Sequence, residues 1–274
     1  MEIEESINKT NNKEGLFKRL FISDSENIST KKRLFNGLLI FLLLVFVFIF
    51  SIEKIGYDMR WGAVFKYKHK FILGFKMTFL LSFFSLFTSL IIGSFFTVAS
   101  RSKFLPLYYL YRFYVAMIRG TPFLVQIYVF FYVIGTAFNL TNRYIMGIII
   151  LSLFSGAYVT EIIRSGIEGI SKSQLETSDS LGFNTYQKYR YIIIPQVIKK
   201  ITPPLAGQFL SLVKDSSLLS VIAVNELTKN IQEADSLNFA SIENYLLLAG
   251  LYMIITIPLS YLSKLLERKF SYEY

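Results

Sequence analysis

Chemistry that makes or breaks bonds needs a nucleophile, a general base or a metal cluster at close spacing, and this sequence offers few of them. It contains no cysteine and a single histidine, His69, which removes thiol catalysis, disulfides, cysteine–zinc sites and histidine-rich metal centres together. One histidine cannot make a His-Glu-x-x-His helix, and its place outside the apolar stretches makes a Ser-His-Asp set a poor reading. A phosphate-binding loop is missing too, because Gly169-Ile170-Ser171-Lys172-Ser173 lacks the spacing and the glycine before lysine. Carboxylate metal sites stay open, with nothing in their favour.

The charges that ask for a role are those inside apolar stretches. Lys214 and Asp215 interrupt one such run. A charge at bilayer depth costs about 2.5 to 3.5 kcal/mol on insertion scales, so both are expected to face the interior of a helix bundle. Adjacent helical residues diverge by about 100° and need not pair with each other, so Glu161 or Arg164 on the preceding apolar stretch are the expected partners. With Ser216 and Ser217 these groups could line a polar path or form a structural lock between two helices, and both readings stand. Arg119, ahead of Gly120 and Pro122, is expected to end an interfacial helix and open the next span.

A second set of residues lies between two apolar stretches, in the connection 164–200. Ser173 and Glu176 fit a capping box, with Ser171 and Gln174 as an overlapping alternative start, and Gly182 supplies a stop. Residues 174–181 then form a rod of about 12 Å, too short to span a bilayer but able to project from one into a groove. Asn184 with Gln187 caps a second helix carrying Tyr186, Tyr189 and Tyr191 ahead of Pro195, expected to run along the membrane surface before turning back into it. The connection is an ordinary folded linker or a docking element, with Glu176 serving as cap, contact or both.

These residues must be positioned by elements that lipid dictates. Of the 274 residues 53% are hydrophobic and 17% aromatic, and apolar stretches at 34–52, 77–99, 123–138, 144–163, 204–224 and 245–262 approach the 20 or so residues that cross a bilayer. The fold class is an all-α integral membrane protein of about six transmembrane helices. The net charge of +10 does not point to nucleic acid, because the basic residues lie between apolar runs. With the N-terminus inside, 20 of the 29 Lys and Arg fall in cytoplasmic segments, 8 in external ones and Lys214 within a span, which favours cytoplasmic N- and C-termini. Residues 1–33 read as a polar tail without a signal peptide. The basic segment 54–76 is expected along the outer interface, anchored by Tyr57, Trp61 and Tyr67, and the acidic loop 225–244 is expected outside.

Glu176-Thr177-Ser178, then Gly182, then Ile192, Ile194 and Pro195 reproduce the spacing of a known pattern: Glu-Ala-Ala, three residues, Gly, nine residues, Ile-x-Leu-Pro. The stretch resembles the EAA loop of ABC importer permeases. Further blocks are similar to the polar amino-acid (histidine/glutamine/arginine) type over roughly residues 72–269. They are Arg119-Gly120-Thr121-Pro122, then Tyr158, Glu161, Ile162, Arg164, Gly166 and Ile167, then Lys214-Asp215-Ser216-Ser217-Leu218. Thr177 and Ser178 replace the two alanines, Ser171 and Ser173 stand where proline and glycine are usual, and Ile194 replaces leucine.

The resemblance implies a type I ABC importer permease fold over residues 71–269, with 34–52 as an added N-terminal span after the cytoplasmic tail. It implies a coupling helix in which Gln174, Glu176, Thr177, Asp179, Gly182 and Pro195 serve an ATPase, and a translocation path involving Glu161, Arg164, Lys214, Asp215, Ser216 and Ser217. The chain itself is expected to hold no cofactor; ATP and Mg belong to a partner ATPase dimer. A solute-binding protein outside the membrane and a second permease subunit, identical or related, complete the expected assembly in a bacterial cytoplasmic membrane. A channel, a secondary transporter, a membrane enzyme and a permease for another small solute are the rival readings.

Overall fold

The structure, a computed structural model, describes residues 29–271, and these are helical with no strand. Most of the expected polar tail, residues 1–28, lies outside them. Five of the described helices are long and apolar enough to cross a membrane, or six with one bent pair counted as a span. The integral membrane class expected from hydropathy therefore holds.

The chain divides into two compact units, the first ending at Met59 and the second beginning at Arg60. The first holds α1 (Thr30–Ile55), which closes on Gly56 in a left-handed conformation (φ 65°). None of its residues is buried. A helix that is apolar all round and buries none of its residues fits a lipid surrounding.

In the second unit a short α2 (Trp61–Phe65) precedes α3 (Lys68–Ser100). The inward face of α3 is written in small and hydroxylated residues at spacings of three and four: Gly74, Thr78, Ser82, Ser85, Ser89, Gly93 and Thr97 are all buried. It meets α6 (Arg143–Glu168), whose buried face carries Ser152, Ser155, Gly156 and Thr160. A Cβ on Gly93 would sit 2.4 Å from the Val159 side chain, and the Thr97 hydroxyl donates to the Thr160 carbonyl at 3.2 Å. In lipid no hydrophobic force draws helices together, so close backbone approach and hydroxyl bonds do that work.

Between them α4 (Leu105–Gly120) and α5 (Phe123–Tyr128), the latter continued by a π-helical segment (Val129–Gly135), meet at a 114° bend. The bend falls at Thr121-Pro122, where Pro122 lacks the N–H that would continue α4. That is the boundary expected after Arg119.

The loop helix α7 (Lys172–Ser180) leads to α8 (Thr185–Lys188), a π segment (Tyr189–Ile193), α9 (Ile194–Asp215) and a 3₁₀ segment (Ser216–Ile222). The expectation of a separate surface helix ending at Pro195 is corrected here, because Thr185–Ile222 is one helical run. Pro195 sits in the first turn of α9, where its missing N–H forfeits little, and the π segment just before it resets the register. Residues 225–244, expected only as an external loop, fold into α10 (Leu227–Asn238) before α11 (Ser241–Ser271).

Candidate functional site

Ser171 accepts from the Gln174 amide at 3.4 Å and caps α7, so the alternative start is the one used. Glu176 is exposed, and its carboxylate has no hydrogen bond or ion pair among the described residues, so the expected capping role is not taken up. The far end closes as a Schellman motif: Gly182 N–H donates to Asp179 O at 2.9 Å and Phe183 N–H to Ser178 O at 3.0 Å, with Gly182 at φ 72°. Asn184 and Gln187 then exchange reciprocal bonds, both at 2.9 Å, in a full capping box.

One face of α7 holds it to the body. Ser178 is buried, and Leu175 packs against a cluster of Ile170, Ile193 and Val197. The other face presents Gln174, Glu176, Thr177 and Asp179 to solvent. Asp179 also pairs with Lys188 on α8, a staple across the turn that the sequence did not reveal. Lys200 fastens the loop from the other side by donating to the Gly169 carbonyl at 2.6 Å. A groove of about 490 Å³ runs beside the helix, lined among others by Gln174, Thr177, Phe183, Tyr191 and Gln196. Pro195 is exposed one turn beyond it.

Glu161 and Arg164 come together with groups that the sequence did not link to them. Arg164 pairs with Glu161 at 2.8 Å and with Glu168 at 2.7 Å; Arg119 approaches Glu161 at 3.5 Å, and the Tyr111 hydroxyl donates to it at 3.0 Å. Arg119 also lies over the Tyr158 ring, 5.7 Å from its centre. The network ties α4 to α6 beside a cavity of about 540 Å³ that reaches Lys200, Pro204 and Gln208 on α9.

Lys214 and Asp215 pair with neither Glu161 nor Arg164, against expectation. The cause is register. Gln208 on α9 donates to Ser155 on α6 at 3.1 Å, and the antiparallel packing sets Gly166 against Ile201 and Gly147 against Leu219. Asp215 is therefore level with a residue between about 148 and 152, roughly 15–20 Å along the axis from Glu161. Lys214 is exposed at the end of α9, Asp215 and Ser217 are half-buried, and Ser216 is buried with its hydroxyl on the Val213 carbonyl at 2.9 Å. No group of three or more His, Cys, Asp or Glu able to hold a metal occurs among the described residues.

A bundle of apolar helices with buried hydroxyls, a charged network at one level, a second pair of charges at another and one docked but outward-facing loop helix define a membrane transport subunit. The family model for the binding-protein-dependent transport system inner membrane component matches residues 89–272, and the chain belongs to that family. It is 36% identical over 201 residues to the Probable glutamine ABC transporter permease protein GlnM of Bacillus subtilis (strain 168), covering 72% of this chain and 93% of the relative. It is 38% identical over 199 residues to the L-cystine transport system permease protein TcyB of the same organism, covering 72% and 84%. The crystal structure of an amino acid ABC transporter with histidines superposes with a TM-score of 0.73 at 33% identity, over 78% of this chain and all of that one. The chain thus has the fold of a type I ABC importer permease, and neither α1 nor the tail is needed for the family match.

Proposed function

We propose that this chain forms the translocation path of an ATP-driven importer for polar amino acids and couples it to a separate ATPase dimer that binds ATP and Mg. The observation that carries the reading is α7. A short helix capped at both ends, docked by Leu175 and Ser178 and showing Glu176, Thr177 and Asp179 outward, is built to be gripped from the cytoplasmic side. The names of its relatives, glutamine and cystine permeases among them, support amino acids as cargo.

In this reading residues 214–217 and the cavity beside Glu161 and Arg164 lie at two levels of one path. A solute-binding protein delivers cargo from outside, and a second permease subunit, identical or related, completes the path. The charge distribution supports a bacterial cytoplasmic membrane with both termini inside.

The lack of native cysteine makes the test direct. Ser180→Cys places a lone exposed thiol on α7 without replacing Glu176, Gly182 or the Asp179–Lys188 pair, and removes only the Ser180 hydroxyl bond to the Glu176 carbonyl at 3.1 Å. Crosslinking in native membranes followed by mass spectrometry is expected to recover a phosphate-loop ATPase. An accessible thiol that captures none would favour a channel or secondary transporter.

A further inference from the structure

Glu226 has no part in the coupling loop or the charged clusters, yet with Glu243 it is one of two fully buried carboxylates among the described residues. It is 0% exposed, and no cationic side chain lies within ion-pair distance of it. Its oxygens are held by donors alone. One accepts the Lys229 amide at 2.8 Å; the other accepts the Thr228 amide at 2.8 Å and the Tyr252 hydroxyl at 3.1 Å. Thr228 and Tyr252 also share a bond of 3.0 Å. The carboxylate thereby caps α10 and ties it to α11, while the Leu227 amide donates to Thr78 on α3 at 3.1 Å.

What this hub closes is the segment that follows the charged pair at 214 and 215. Ser216–Ile222 is 3₁₀ rather than α, and its Leu219 and Ile222 are sunk in the main core with Val224. The chain then turns at Ala223, whose φ of 57° is a conformation a residue with a Cβ adopts only where its surroundings impose it. Three residues later comes the Glu226 cap. We propose that Glu226 is a positioning residue for transport: in its ionised form it locks this corner and so fixes where residues 214–217 stand in the path.

Protonation takes the negative charge off a cap that accepts two amide N–H bonds, and it asks the Tyr252 or the Thr228 hydroxyl to turn from donor to acceptor. Protonation therefore weakens the charge-assisted cap and reorders the hydroxyl bonds around it. Burial pushes the Glu226 carboxyl up to about 7, so the change falls in an accessible range. Of the titratable groups on elements packed against α10, Lys70 on α3 is engaged by Glu233, Glu243 on α11 by the Arg60 amide, and Tyr252 is the one bonded to Glu226. The 3₁₀ segment and α2 bring none.

The inference rests on residues 214–217 lining the path. Its test is uptake of a mixture of labelled polar amino acids by the complete transporter in vesicles, between pH 6 and pH 8. Wild type is expected to lose about tenfold in rate from the alkaline to the acid end, as a one-proton titration near the middle of that range requires. Glu226→Gln should stay near the acid-end rate throughout, because its NH₂ faces a donor, and Glu226→Asp should restore a pH-dependent rate. A flat wild-type profile, or a Glu226→Gln profile like wild type, overturns the proposal. Loss of both variants from the membrane would show a structural role only and overturns it as well. Asp215→Asn in the same assay isolates the reading beneath: unchanged uptake there would remove residues 214–217 from the path whatever Glu226 does.

Discussion

The helical run Thr185–Ile222 is finished very differently at its two ends. At the start of the run the turn between α7 and α8 is exposed and held mostly by contacts close in sequence: Ser171 with Gln174, Asn184 with Gln187, Asp179 with Lys188. At the far end of the run α10 buries Leu227, Asn230, Ile231 and Ala234 and is held by contacts that reach across the chain, from Leu227 to Thr78 and from Glu226 to Tyr252. An end that docks by one face and keeps the other exposed is free to meet a partner. An end woven into three helices is scaffold.

Two glycines sharpen the contrast. A Cβ on Gly74 would fall 2.8 Å from the Leu227 Cα and 2.8 Å from the Asn230 side chain, so α10 could not seat on α3. Gly74→Val is expected to have the largest effect here, an overpacking cost of roughly 1–3 kcal/mol or more, visible as a lower unfolding temperature in detergent. Gly182 has nothing within 4 Å of its Cβ position, and its constraint is the left-handed backbone alone. Gly182→Ala should cost about 1 kcal/mol locally while the α10 end stays intact, which hydrogen exchange at α7 and α10 can separate.

The smallest effect should come from Ser171→Ala, which removes one long cap bond on a helix already pinned by Leu175. A loss of about 0.5–1 kcal/mol confined to α7 is expected, again by hydrogen exchange. If that change instead destabilised α10, the independence of the two ends would be broken.

The same contrast explains what the sequence could show. Caps are set by residues three apart, so Asn184 with Gln187, the stop at Gly182 and both candidate starts of α7 were all readable. Choosing Ser171 over Ser173 needed Leu175 and Ser178 to be seen facing the body, which is tertiary information. The spans were readable from hydropathy, but the packing was not: α1 and α6 each run to 26 residues, and only α6 carries buried ones. Its Gly and Ser face, matched to that of α3, is the signal that could have separated them. Pairing Lys214 or Asp215 with Glu161 failed because hydropathy gives no register between helices. The amphipathic α10 was missed because the charge pattern of residues 225–244 was read for sidedness and not for helical period.

The account stands or falls on the exposed turn transmitting the ATPase cycle. The direct measurement is ATP-driven amino-acid uptake by the complete transporter carrying Gly182→Val, compared with wild type at equal amounts of permease in the membrane. A β-branched residue at φ 72° should rebuild the turn without disturbing the bundle, so normal membrane abundance with uptake abolished is the predicted result. Wild-type uptake from the Gly182→Val protein would contradict the coupling role of α7.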